Sequence, residues 1–176
     1  MCVERIHAPA ESGREQESGL ADLYERHVGQ AVGLARVLTG DREVAEDLAH
    51  EAFIRVAGRF GHLRRPGAFE AYLRRTVVNL CRARFRRLRV ERAWLRRQSP
   101  GEPAARPDYD PDDREAVWRA LVRLPYRQRA AVVLRYYEDL SVAETGEALR
   151  CSTRAAGSLL ARALATLRQE LSKEER

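Results

Sequence analysis

Arginine at helical spacing is the first chemistry this sequence offers. In the stretch from Phe69 to Arg97, Arg75, Arg82, Arg86, Arg89 and Arg96 fall on one side of an α-helix turning about 100° per residue. Phe69, Leu73, Leu80, Leu88 and Leu95 fall on the other side. A guanidinium presents a planar fork of donors that suits phosphate oxygens and guanine edges, so a row able to follow a phosphate backbone points to nucleic acid. On the flank between the two faces, Tyr72 and Asn79 share one edge. The tyrosine can stack on a base and the asparagine can hydrogen-bond a base edge. A half-buried tyrosine beside a surface asparagine gives the same spacing, and a merely solvated arginine face is the plain counterpart of the whole row, on a chain whose sole lysine is Lys173.

The opposite charge collects after Asp41, where Glu43, Glu46, Asp47 and Glu51 stand with His50. As metal ligands or acid–base carboxylates these residues fail on spacing. His50-Glu51 opens a zinc-protease pattern, but Ile54 stands where the second histidine belongs, and Asp47-x-x-His50 has no second copy for a two-metal site. Asp108-x-Asp110-x-Asp112 opens like a calcium loop and lacks the glycine and distant glutamate of one. His27 lies on an apolar stripe with no second ligand in reach. No metal, cofactor or catalytic set is therefore expected, and the acidic face fits protein binding better.

Helices must position these groups. Ala, Leu, Arg and Glu fill most segments and alternating β-branched runs are nearly absent, which predicts an all-α fold. The chain has 176 residues, 44% hydrophobic and 33% charged, with a net charge of +6, enough for one domain or two small ones on a basic protein. No run of eighteen apolar residues and no secretory layout near Met1 is present, so a cytoplasmic protein without a membrane span is expected. Cys2, Cys81 and Cys151 are odd in number and widely spaced, which fits a reducing compartment and plain apolar roles.

Residues 1–19 lack a period and read as a flexible tail. Residues 20–97 hold three helical patterns: Leu20, Tyr24, His27, Ala31, Leu34 and Leu38, stopped by Thr39-Gly40; Val44, Leu48, Ala52 and Val56, capped by Asp41; and the arginine helix, entered through a basic turn around Pro66-Gly67. Residues 98–112 carry Pro100, Pro103, Pro107 and Pro111 among aspartates and mark a flexible acidic linker. In residues 113–171, Ser141-Val142-Ala143-Glu144 is a capping box opening a short helix, and Arg150-Cys151-Ser152 turns into a long one. That is the pattern of a helix-turn-helix. Ala156, Leu160, Ala163 and Leu167 would face its core and Arg154, Ser158, Arg162 and Ala165 a major groove. Helical hairpins without a DNA role share this pattern.

Taken together and in order, these pieces resemble the extracytoplasmic-function (ECF) group of bacterial sigma-70 factors, over roughly Leu20 to Leu171. Ala45-Glu46-Asp47-Leu48 with Glu51, Ala52 and Phe53 is similar to the family's polymerase-binding helix, and Phe69-x-x-Tyr72-Leu73 with Val78-Asn79-Leu80 to its promoter-melting helix. Leu124-Pro125-x-x-Gln128-Arg129, Val133-Leu134-Arg135-Tyr136-Tyr137 and Leu140-Ser141-x-x-Glu144 are similar to the second sigma module. The resemblance implies a non-enzymatic subunit that binds core RNA polymerase, directs it to promoter DNA and helps open the duplex. It places Glu46, Asp47 and Glu51 on polymerase. Tyr72, Arg75, Asn79, Arg82 and Arg86 then hold the minus-10 element, and Arg154, Ser158 and Arg162 the minus-35 element. It further implies a linker directed toward the RNA channel and an anti-sigma partner. Three positions depart from the pattern: Ala57 where tryptophan is frequent, Arg150 for a turn glycine, and Gly157 for a lysine on the recognition helix. A helix-turn-helix regulator without polymerase docking is the competing expectation, and it leaves the acidic face unused. A metal-dependent nucleic-acid enzyme would need a ligand cluster that no spacing supplies.

Overall fold

The computed structural model of the chain describes residues 10–59, 67–98 and 113–174. Among them are seven helices and no strand: α1 (Ala10–Thr39), α2 (Arg42–Ala57), α3 (Ala68–Gln98), α4 (Asp113–Arg123), α5 (Tyr126–Tyr136), α6 (Val142–Ala148) and α7 (Thr153–Glu174). The all-α expectation is met. α1 begins well upstream of Leu20, so Ala10 to Gly19 are helical where a flexible tail was expected. Glu11, Arg14, Glu15, Gln16 and Glu17 are good helix formers, and extending a nucleated helix needs no apolar period. Residues 1–9 of that tail, the linker at 99–112 and the basic turn at 60–66 lie outside the described residues.

Local signals set the helix ends. Gly40 takes φ 82° and donates to the Arg36 carbonyl at 2.8 Å, ending α1 in the left-handed conformation that glycine reaches without a Cβ clash. The Asp41 carboxylate accepts from the Val44 N–H at 3.1 Å and caps α2. The buried stripe of α2 is Ala45, Ala49, Ala52, Phe53 and Val56. It lies rotated from the expected one, with Val44 and Leu48 half-buried at its margin. Small alanines face the packed side, which lets α2 approach its neighbours closely. Tyr24, Phe53, Phe69 and His27 then stack in series at 4.8, 6.0 and 5.6 Å between centroids, so His27 is a packing residue.

In the second module the capping box is formed in both directions: Glu144 N–H donates to Ser141 Oγ at 3.2 Å, and Ser141 N–H to the Glu144 carboxylate at 2.8 Å. Hydrogen bonding of the Glu144 carboxyl by the Ser141 side chain, then by the Ser141 backbone N–H, holds it below its ordinary value. Between α6 and α7 the chain doubles back so tightly that a Cβ on Gly146 would stand 2.9 Å from the Cys151 carbonyl. Arg150 takes φ 52° in this turn, the conformation glycine supplies cheaply. Ala156, Leu160, Ala163 and Leu167 are buried as expected.

The two modules also pack on each other, a contact that no sequence pattern announced. Arg129, 2% exposed, donates to the Val122 and Leu124 carbonyls within its own module and to the Leu38 carbonyl of α1 at 2.8 Å. Burial lowers its pKa to about 10, so it remains a cation at neutral pH, with its guanidinium 4.7 Å from the centre of the Phe85 ring of α3. Tyr126 donates its hydroxyl to the Val78 carbonyl at 2.7 Å. Burial, then the neighbouring Cys81, raises its pKa and keeps that proton in place. Glu138, whose side chain is 2% exposed, accepts from Arg74 at 2.8 Å and from Gln30 at 3.2 Å. Cys81 is fully buried beside this seam, and burial pushes its thiol up to about 12, leaving it an unreactive apolar filler.

Candidate functional site

α3 is the element on which the candidate sites depend, and it carries three faces at the same four-and-three spacing. Phe69, Leu73, Val77 and Leu80 are buried with the first module. Arg74, Val78, Cys81 and Phe85 meet the second. Arg75, Asn79, Arg82 and Arg86 form the remaining face. Packing on two sides fixes the rotation of the helix, so the third face is presented rigidly. Arg82 and Arg86 are exposed, while Arg75 and Asn79 are half-buried at their base. The Nε–H of Arg75 is buried without a partner among the described residues.

Tyr72 lies at the edge of this face, half-buried, and its hydroxyl accepts from Arg59 at 2.7 Å. The Arg59 guanidinium also stands 5.8 Å from the ring centre. Arg59 was not singled out in the sequence, because it precedes α3 by a turn-rich stretch and reaches the face only through the fold. Beyond Phe85, Arg87 and Arg89 are exposed, as are Val90 and Trp94. The side chains of Leu95 and Arg96 lie outside the described residues.

The acidic residues of α2 point away from the core. Glu46 pairs with Arg42 at 2.9 Å and Glu51 with Arg55 at 2.5 Å, both exposed i,i+4 pairs of small worth that a partner can displace. Asp47 is exposed and makes no such pair among the described residues. One turn further along the same side, Ile54 is 61% exposed. The isoleucine that spoils a zinc motif is thus an exposed apolar side chain at the C-terminal end of an acidic face. No group of three metal-ligating side chains occurs among the described residues.

On α7, Arg154, Ser158 and Arg162 are exposed in one row. Ser158 donates its hydroxyl to the Arg154 carbonyl at 3.0 Å, and Arg162 donates Nε to the Ser158 carbonyl at 3.1 Å. Gly157 leaves ordinary space, since a Cβ there would stand 3.9 Å from Val142.

The fold and these faces define a helical protein of two modules, one built around an arginine-faced helix and the other a helix-turn-helix. Two family models match it: sigma-70 region 2 over residues 23–91 and sigma-70, region 4 over residues 114–167. The chain is 36% identical over 137 residues to the RNA polymerase sigma-E factor of Streptomyces coelicolor, across 78% of this chain and 77% of that protein. It is 34% identical over 148 residues to the ECF RNA polymerase sigma factor SigM of Mycobacterium tuberculosis, across 82% and 73%. Its fold is similar to that of the sigma factor RpoE from Bartonella quintana, solved with the anti-sigma factor NepR, at a TM-score of 0.65 and 21% identity over 90% of this chain and 99% of that one. The chain belongs to the sigma-70 family, among the ECF sigma factors. Its function is that of an RNA polymerase sigma factor, a DNA-binding subunit of transcription initiation, which disfavours a regulator working without polymerase. Among the described residues no helix is long and apolar enough to cross a membrane.

Proposed function

We propose that this sigma factor divides its work among three faces, acts without catalysis of its own, and works in the cytoplasm on a restricted promoter set. Glu46, Asp47 and Glu51 dock on core polymerase, with the exposed Ile54 adding apolar area beside them. Arg75, Arg82 and Arg86 hold phosphates of the minus-10 element. Asn79 reads a base edge there and Tyr72 offers a ring for stacking. Arg154, Ser158 and Arg162 meet the minus-35 element, and an anti-sigma protein holds the factor when it is idle, as NepR is bound to the similarly folded RpoE.

The observation that carries this reading is the third face of α3. Two of its faces are buried in packing, and the third aligns three arginines and an asparagine, with an unsatisfied guanidinium donor at its base. The test is reconstitution with core polymerase. Glu46→Lys with Asp47→Lys should reduce co-purification with core at least tenfold while helicity stays intact, because like charges across an interface are costly. Undiminished co-purification removes the α2 assignment.

A further inference from the structure

Arg59 meets Tyr72 at the edge of the arginine face, and the use of that contact rests on the stacking role assigned to Tyr72. We propose that Arg59 is a positioning residue for duplex opening: by holding the Tyr72 hydroxyl it keeps the ring in one orientation, ready to receive an unpaired base of the minus-10 element. The two residues are 13 positions apart, one just past the end of α2 and the other on α3, so their bond is a tertiary one. The Arg59 main-chain N–H donates to the carbonyl of the buried Val56 at 2.9 Å, which ties Arg59 to the last turn of α2. From that anchored position its guanidinium donates to the Tyr72 hydroxyl at 2.7 Å.

A guanidinium lying close over an aromatic face takes the surface that a base needs, as Arg129 does at 4.7 Å from the centre of the Phe85 ring. Arg59 stands 5.8 Å from the Tyr72 ring centre and bonds the hydroxyl, so it grips the ring at its outer end. A tyrosine ring moves about two side-chain torsions, and a base that stacks on a loose ring must offset the entropy of fixing both. A bond made beforehand removes that cost from the opening step, and a charged donor makes the bond stronger than a neutral one. Thr76, the next residue along that edge, turns its hydroxyl to the Tyr72 carbonyl at 2.7 Å and does not compete for the ring. Arg59 is itself exposed, while the core below it is made by Phe53, Val56, Phe69 and Leu73. Its removal should therefore leave the fold intact and release only the ring.

Opening is read with the full chain on core polymerase, at a promoter selected from genomic fragments by run-off transcription, with 2-aminopurine in the minus-10 element reporting the loss of pairing by its rise in fluorescence. Arg59→Ala should lower the equilibrium constant for opening roughly fivefold, the worth of one hydrogen bond, while core binding, melting temperature and duplex binding at a temperature that keeps the promoter closed stay unchanged. Tyr72→Phe keeps the ring, loses only the hydroxyl, and should show the same defect. The double variant should open no worse than either single one, since both remove the same bond. Arg59→Lys keeps a cationic donor and should recover most of the loss. Defects of Arg59→Ala and Tyr72→Phe that add in full would give Arg59 a DNA contact of its own and overturn the proposal. So would weakened duplex binding with opening unchanged. Tyr72→Ala separates the positioning role from the assignment beneath it. If Tyr72→Ala opens the promoter normally, the stacking role fails and the proposal with it; if Tyr72→Ala is defective while Arg59→Ala opens normally, the positioning role alone is overturned.

Discussion

The two helices whose rows we propose face DNA, α3 and α7, differ in what their donors are already doing. On α3, Arg82 and Arg86 stand exposed on a helix clamped from two sides, and Arg75 keeps a buried donor unsatisfied. On α7, the Ser158 hydroxyl and Arg162 Nε bond back to carbonyls of their own helix, and the turn leading in carries Arg150 in a left-handed conformation. Rigidity is shared, but on α7 one hydroxyl and one guanidinium N–H are already committed to the helix backbone. A row of exposed side chains is thus an incomplete description of a binding face, because donors tied to the backbone must be released before they read anything.

If that contrast governs promoter choice, the largest effect belongs to DNA changes. Scrambling the minus-10 element should reduce run-off transcription on the order of a hundredfold and scrambling minus-35 by no more than about tenfold, given roughly 1–3 kcal/mol per mismatched pair. Abolition by minus-35 scrambling with minus-10 changes tolerated would invert the comparison. Next, Asn79→Ala should redistribute preference among minus-10 sequences by roughly 1–3 kcal/mol, whereas Arg82→Ala and Arg86→Ala should weaken all sequences alike and each lower the salt slope by about one. Competition binding across a salt series separates these outcomes. A smaller effect sharpens the α7 side: Arg150→Gly should stabilise the helix-turn-helix by about 1 kcal/mol, and Gly157→Ala by a similar amount where the Cβ has room, both read by thermal melting. An unchanged melting temperature for Arg150→Gly would show that the turn is not strained.

The smallest expected effect concerns pH. The Glu144 carboxyl is held low by the folded capping box, so its contribution is present above the ordinary carboxylate value and is lost as pH falls through the folded one. The difference in melting temperature between the unaltered chain and Glu144→Ala should therefore shrink between neutral pH and about pH 3.

Much of this was legible because it is periodic or punctuated. The Gly40 stop, the Asp41 cap, the Ser141–Glu144 box and the α7 core stripe follow from residues within one or two turns of each other. Arg150 stood out because it replaces a turn glycine of the family pattern, and its φ of 52° is the conformation glycine supplies. What escaped was non-local. Arg74 and Glu138 are 64 residues apart, and either alone looks like a surface charge; Arg129 looks like one more arginine in a basic chain until three carbonyls close around it. Asp139 at φ 50° was also missed. The upstream start of α1 escaped for a different reason, being a matter of helix propensity without an apolar stripe to mark it.

The three faces of α3 also constrain how such a chain can change length. A one-residue insertion after Arg75 would rotate everything downstream by about 100°, carrying Phe85 off the seam and Arg82 and Arg86 off the open face at one stroke. A seven-residue insertion turns it by only about 20° from register while lengthening the helix by roughly 10 Å, about three base pairs of duplex. Substitution can therefore retune this helix one residue at a time, but its length can drift only in steps of about two turns, each of which would lengthen the stretch of duplex it can lie along.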